Sequence, residues 1–392
     1  MDDRRDNAQS GGALALPAGR EVAAGEAAAP VARHGRGRRT IASLRHRDFA
    51  LLWSSSAVMS GGQWLQQVTL SWLVFDWTGS AFLLGLINGV RLLPFLFTSP
   101  ISGVLADRMD RRRLMLVTQV YLFVTTLLMG LLLLAGQAQI WHLFVFTFLS
   151  GLGWSFTMPV RQSLVSALVP REDVLNAVAL SSAAFNLTRM IGPAVGGLLL
   201  VTVGGAGNFI AQAGCYAVVI AMVAAMRVPP IPRSADRPRE SMWSSMADGV
   251  RYVRRTPSVL ALLTLALVPM TLGMPYQSLL PIFAADVYGL GAGGLGFLIA
   301  IAGVGSFVAT MWVAGSDLAH KGKIQLIALG GMGLSLALFG QTPWLAPALL
   351  FLLVLGACQM AYMTINQTLL QTTAPEEVRG RVMSLYMLNV GL

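Results

Sequence analysis

Long apolar runs separated by short polar connections dominate the chain. We predict ten of them, at residues 49–75, 81–105, 114–135, 140–168, 175–203, 208–226, 258–284, 294–316, 324–340 and 345–372, with an eleventh that begins near Val378. A helix needs about 20 apolar residues to cross the hydrocarbon core of a bilayer. Only 12% of the residues are charged, against about 25% in a typical soluble domain. The sequence therefore predicts an all-α membrane protein.

The positive residues alternate along the connections between the runs. Every even-numbered connection carries Arg or Lys, and every odd-numbered connection has neither. Because positive residues favour cytoplasmic loops, we expect a multi-pass protein of the cytoplasmic (inner) membrane with its N-terminus in the cytoplasm. The net charge of +10 is spread over several connections instead of one face, which argues against a nucleic-acid partner.

One long connection divides the runs into two groups. We predict a disordered cytoplasmic tail at 1–42, a six-helix bundle at 43–227, a cytoplasmic linker at 228–257 and a partial C-terminal bundle at 258–392. The segments around Pro170 and Pro375 resemble each other, and such repeats are typical of transporters built from two halves. On that plan the second half lacks its last helices, and we expect the chain to be truncated at its C-terminus.

Two motifs identify a family. The connection after the second run reads GVLADRMDRRRL, which resembles the loop 2–3 signature of the major facilitator superfamily. The matching residues are Gly103, Leu105, Ala106, Asp107, Arg108, Arg111 and Arg112, while Asp110 replaces the usual glycine. The stretch IGPAVGGLL resembles an exporter motif of the fifth helix, with matches at Gly192, Pro193, Gly196 and Gly197. The segments LRHRDFALLW and WLVFDWTGSAFLLGL are similar to the branch that contains enterobactin and macrolide exporters.

The resemblance implies the major facilitator fold, in which two six-helix halves rock around a mid-membrane cavity. It also implies that Asp107 faces the start of helix eleven and holds the cytoplasmic ends of the halves together. A carboxylate near a helix N-terminus gains about 0.3–1 kcal/mol, and Arg112 or Arg379 can add a hydrogen bond. Topology alone is the competing explanation for the arginines, and generic packing of small residues is the competing explanation for the helix-five motif.

Two arginines, Arg91 and Arg189, fall near the middle of predicted spans. A charge there costs at least about 2.5–3.5 kcal/mol on insertion scales and marks function by default. Asn88 and Asn186 each precede an arginine by three residues and so share its helix face. The remaining candidates for a substrate cavity are Gln63, Gln67, Gln359, Tyr362 and Asn366. Such a cavity suits an anionic or amphipathic substrate, although structural binding of helix-end carbonyls would also explain both arginines.

Carboxylates are absent from the middle of the predicted spans. Asp76 and Asp286 lie at matching outer ends and are the candidates for proton coupling, unless they are merely solvated helix ends. The sequence has no phosphate-binding motif and no metal-ligand spacing, so we predict no enzyme activity, cofactor or metal. The predicted function is proton-coupled export of a small siderophore or drug by a monomer in the bilayer. The alternatives are an importer of the same fold and a non-transporting membrane sensor or scaffold.

Overall fold

The computed structural model describes residues 42–108, 110–170, 173–228, 250–273, 275–316 and 320–375, with 378, 382, 383, 385 and 386. The helices are α1 (Arg47–Thr78), α2 (Ala81–Arg108), α3 (Arg111–Leu134), α4 (Ile140–Leu168), α5 (174–203), α6 (205–225), α7 (Pro257–Val287), α8 (Gly291–Gly315), α9 (Lys321–Gln341) and α10 (Leu345–Thr373). The ten predicted runs agree with these helices to within about three residues at each end. The predicted tail, most of the linker and most of the eleventh helix lie outside the described residues.

The helices alternate in direction, which gives the molecule two ends. The end that carries the turns at Gly79, Gly136, Gly204, Gly289 and Thr342 is called the Arg-poor end. The opposite end, where α2 leads into α3 and where α7 begins, is called the Arg-rich end. The names follow the distribution of arginine in the sequence.

Seven stretches of the described chain are long and apolar enough to cross a membrane. They are Arg111–Leu134, Ile140–Arg161, Ala183–Ala225, Pro257–Val287, Gly291–Val313, Lys321–Gln341 and Leu345–Thr373, and Ala81–Pro94 is a shorter apolar helix. Helix α1 is not among them, because Ser, Gln and Thr lower its hydropathy.

The polar side chains of α1 are buried against other helices. Gln212 of α6 donates a hydrogen bond to Gln66 (2.7 Å), and Gln66 donates to Ser150 of α4 (3.1 Å). Asn208 of α6 donates to the hydroxyl of Thr69 (2.7 Å). Buried polar groups need such partners, so α1 fits the bilayer as part of the bundle.

Helices α5 and α6 are joined by one residue. The sequence predicted a turn at 204–207, whereas the structure confines the non-helical backbone to Gly204, which has φ 70° and ψ −178°. Only glycine reaches this region at low cost. Gly204 therefore reverses the chain without a loop.

We expect Gly204→Ala to destabilise the protein by about 1–3 kcal/mol, because a Cβ is strained at this backbone conformation. Space is not the obstacle, since no atom lies within 4 Å of a Cβ built there. Thermal unfolding in detergent checks the effect, and Gly214→Ala is the matched control because its Cβ would also meet open space in a helical backbone. Equal unfolding temperatures of the two variants would contradict the prediction.

Helix α7 is irregular, which the sequence prediction of one regular span at 258–284 missed. An α-helical part (Pro257–Val268) leads into a π-helical turn (Pro269–Gly273), a short helix (Tyr276–Ile282) and a second π-helical turn (Phe283–Val287). Proline lacks the N–H that the preceding turn needs, and Pro269, Pro275 and Pro281 recur through this region. The short helix carries the α7 side chains that meet α2 and α5.

Two main apolar cores support the bundle. One joins α1, α3, α4 and α6 through residues such as Met59, Leu122 and Tyr216. The other joins α7, α8, α9 and α10 and also takes in Val68 of α1 and Leu200 of α5. The two groups of helices therefore share packed surface.

Candidate functional site

Arg91 lies on α2 and is held by α1. Its Nη1 donates a hydrogen bond to the side-chain carbonyl oxygen of Gln67. Tyr216 of α6 is close enough to interact electrostatically with it. The structure therefore brings together Arg91 and Gln67, two residues that the sequence had placed on separate polar stripes.

Asn88 lies one turn before Arg91 and reaches the other group of helices. Its Nδ2 donates to the carbonyl oxygen of Leu84 (2.8 Å) and to the hydroxyl of Ser278 (2.9 Å). Ser278 stands on the short helix of α7. The sequence analysis missed Ser278, because a single serine in an apolar run gives no periodic signal.

Arg189 of α5 spans the two groups of helices. Its Nη2 donates to the side-chain carbonyl oxygen of Gln359 on α10 (3.2 Å), and its Nη1 lies 3.8 Å from the sulfur of Met360. Tyr276 of α7 interacts with it electrostatically. The predicted pair of Arg189 and Gln359 is thus brought together, while Met360 and Tyr276 were not predicted.

Three further candidates occupy α9 and α10. Asn366 accepts a hydrogen bond from Gln325 of α9 (2.6 Å), and Tyr362 is buried one turn earlier. The sequence did not indicate Gln325, because it lies close to the lysines at the start of α9. These residues give the second group of helices a neutral polar surface.

Two candidates have weaker support from the geometry. Asn186 is buried, but its side-chain oxygen has no hydrogen-bond partner among the described residues. Gln63 is half-buried on α1, and none of the side-chain hydrogen bonds of the described chain involves it. Neither residue is linked directly to an arginine.

We expect the Asn88–Ser278 hydrogen bond to couple the two helix groups by about 0.6 kcal/mol, the mean for such bonds in membranes, and at most about 1.7 kcal/mol. A double-mutant cycle of Asn88→Ala and Ser278→Ala, read as free energy of unfolding, measures the coupling. Asn88→Ala with Ser335→Ala is the control cycle, since Ser335 is buried on α9 away from this contact. Strict additivity in the first cycle would contradict the prediction.

The candidate site is cationic. Arg91 and Arg189 are its charged members, and the described residues near the middle of the helices include no carboxylate. Asp76 and Asp286 are exposed near the ends of α1 and α7, at the Arg-poor end. The structure therefore does not bring these two carboxylates to the arginines.

The helix-five motif makes two close contacts. On one side, a Cβ built on Gly192 would lie 2.7 Å from Cβ of Trp64 on α1. On the other side, a Cβ built on Gly197 would lie 2.9 Å from Cα of Gly296 on α8. Real Cβ atoms essentially never come that close, so larger side chains at these positions would force the helices apart.

Helix α8 extends this contact along α5. A Cβ on Gly303 would lie 2.8 Å from the carbonyl oxygen of Arg189, and one on Gly296 would overlap the carbonyl oxygen of Pro193. Gly196 meets α1 at a looser 3.4 Å from Cα of Leu65. Backbone therefore meets backbone where the two groups of helices join, and α5 positions Arg189 at this junction.

The loop 2–3 motif is described in part. Gly103, Asp107 and Arg108 belong to the last turns of α2, but their side chains and the start of helix eleven lie outside the described part of the chain. Arg111 begins α3, and Asp110 caps it by accepting a hydrogen bond from the backbone N–H of Arg113 (2.9 Å). Asp110, which departs from the family motif, therefore stabilises the start of α3.

Arg112 binds the end of α6. Its Nε donates to the carbonyl oxygen of Val223 (3.2 Å), and its Nη2 donates to that of Ala224. These carbonyls lie in the last turn of α6, where cations are favourable. The partner expected for Arg112 was Asp107, so the structure gives this arginine a different contact.

This architecture defines a class. Two groups of membrane-crossing helices share a glycine-lined junction, and polar side chains link the groups mid-span, as in membrane transporters of the major facilitator type. The chain belongs to the transmembrane secretion effector family, whose profile matches residues 38–391. Its class is therefore that of a membrane transporter and not an enzyme.

The relatives agree with this assignment. The chain is 26% identical to the staphyloferrin A transporter of Staphylococcus aureus over 87% of this chain and 85% of the relative. It is 28% identical to the enterobactin exporter EntS of Shigella flexneri over 79% and 70%. A solved bacterial homologue of the human lysosomal transporter Spinster, in an inward-facing and unoccupied conformation, superposes with a TM-score of 0.67 at 18% identity, over 92% of this chain and 80% of that one. The last likeness concerns the fold alone.

Proposed function

We propose that the protein exports a small anionic or amphipathic compound of the siderophore or drug type by alternating access, driven by the proton gradient. The observation that carries the substrate class is the pair of mid-span arginines, Arg91 and Arg189, whose hydrogen-bond partners are neutral amides. The guanidinium group stays charged in proteins. Anionic oxygens make stronger hydrogen bonds to it than amide oxygens do.

The amides act as placeholders in this proposal. Gln67 and Gln359 each offer one carbonyl oxygen to an arginine. A carboxylate or catecholate oxygen can replace that oxygen and supply the missing negative charge. The cost of the buried arginine charge then favours binding of an anion over a neutral or cationic compound.

The same exchange links binding to movement. Arg189 and Gln359 belong to different groups of helices, so an anion that takes Arg189 away from Gln359 removes one hydrogen bond between the groups. A ligand shifts a conformational equilibrium only by its differential affinity for the two states. Loss or transfer of this bond supplies such a difference, and the loop 2–3 motif around Asp107 would hold the Arg-rich end closed in the opposite state.

Export is favoured by the relatives and by the charge pattern. The relatives include a siderophore exporter and a transporter named for another siderophore. Arginine-bearing connections favour the cytoplasmic side, so we place the Arg-rich end and the N-terminus in the cytoplasm and the protein, as a monomer, in the inner membrane. For proton coupling, the candidates remain Asp76 and Asp286.

Vesicles of defined orientation test the proposal. Inside-out vesicles containing the full chain are given a proton gradient and a panel of iron-free siderophores, macrolides, and anionic and cationic dyes. We expect accumulation of an anionic member that a protonophore abolishes, relative to vesicles without the protein. Accumulation only in right-side-out vesicles would support an importer, and saturable binding without flux would support a sensor or scaffold.

A further inference from the structure

The last turn of the predicted linker carries a cluster of arginines that transport does not use. Residues 250–255 form a helical turn directly before α7. Arg251, Arg254 and Arg255 are exposed and spaced three and four residues apart, which places them on one side of the turn. Together with Val250 they line a cavity of about 330 Å³.

The turn is fixed to the folded chain. The side chain of Val253 is 7% exposed and packs with Val259 and Leu263 of α7 and with Leu370 of α10. Both helices have their Arg-rich ends here, since α7 starts at Pro257 and α10 finishes at Thr373. The arginines are therefore held where two membrane spans meet the polar boundary of the bilayer.

An exposed apolar surface starts two residues after the cluster. Exposed positions recur along α7 at 257, 260, 261, 264, 267, 268 and 271, a spacing that follows one stripe of a helix. Within the stripe, Leu260, Leu267 and Val268 are 40%, 41% and 40% exposed. In a bilayer this stripe faces hydrocarbon.

We propose that this cavity binds the phosphate of an anionic phospholipid, and that the acyl chains of the lipid lie along the exposed stripe of α7. The planar fork of Arg254 and Arg255 matches phosphate geometry, and the segment from 227 to 257 contains seven Arg against three acidic residues. A soluble phosphate would meet the charge but leave the stripe uncovered. A topology signal alone would need the charge but no cavity.

Lipid binding by the purified full chain in neutral detergent tests the proposal. Native mass spectrometry compares phosphatidylglycerol, phosphatidylcholine with the same acyl chains, and glycerol phosphate. We expect phosphatidylglycerol to bind at least about tenfold more tightly than either other ligand. Arg254→Gln with Arg255→Gln should weaken phosphatidylglycerol binding by roughly fivefold for each charge and leave phosphatidylcholine binding unchanged.

Two variants keep the test sharp. Arg113→Gln with Arg227→Gln removes two other exposed charges from the same end and should retain the affinity. Arg254→Lys with Arg255→Lys keeps the charge, so it should retain most of the binding even if the glutamine pair fails to fold. Equal affinity for the two phospholipids, glycerol phosphate binding as tight as phosphatidylglycerol, or equal loss in the control pair would each overturn the proposal.

Discussion

Replacing Arg189 by Ala is expected to lower kcat/KM for the anionic substrate by at least about 30-fold. Arg189 is the cation that also joins the two groups of helices through Gln359. Loss of one partner of a buried, hydrogen-bonded charge pair costs about 2–5 kcal/mol. The measurement is initial uptake into inside-out vesicles, normalised to the amount of protein inserted.

Two variants accompany this test. Arg189→Lys keeps the charge but not the planar fork, so it should recover part of the activity. Arg227→Ala removes an exposed arginine at the Arg-rich end and should transport normally. Equal transport by wild type and Arg189→Ala, with Arg91→Ala equally active, would remove the basis for an anionic substrate.

Replacing Gly296 by Ala is expected to destabilise the protein by about 1–3 kcal/mol, the usual cost of overpacking, and to reduce transport at least tenfold. A methyl group on α8 would overlap the carbonyl oxygen of Pro193 on α5. Neither helix can yield locally, because backbone opposes backbone. Thermal unfolding in detergent and vesicle transport give the two readouts.

The matched control is Gly333→Ala on α9, where a Cβ would meet no atom within 4 Å. That variant should keep both stability and transport, since Ala is a better helix former than Gly. If Gly296→Ala matched Gly333→Ala in both readouts, the close junction of α5 and α8 would not matter for function.

The sequence predicted most of the helices because hydropathy reports the length of a span directly. Apolar runs such as 140–168 coincide with the helix that forms, Ile140–Leu168. The irregular course of α7 was not predictable in this way, since hydropathy does not distinguish a π-helical turn from an α-helical one. Ser278 was missed for the same reason.

The candidate site was predicted residue by residue but not contact by contact. A charge in an apolar run is conspicuous, so Arg91 and Arg189 were found at once. Their amide partners, Gln67 and Gln359, come from helices that lie far apart in sequence, and one sequence contains no information about such pairing. Arg112 shows the converse, because a motif suggested Asp107 as its partner whereas the structure gives it the end of α6.

The polar contacts of α1 also bear on how the protein is made. Gln66 emerges from the ribosome 146 residues before its partner Gln212. At about 5–20 residues per second, the interval is roughly 7–30 s. During that time α1 is a span of low hydropathy with unpaired amides, so it must be retained by the insertion machinery until α6 arrives. Membrane insertion of the first six helices is therefore expected to be concerted instead of sequential.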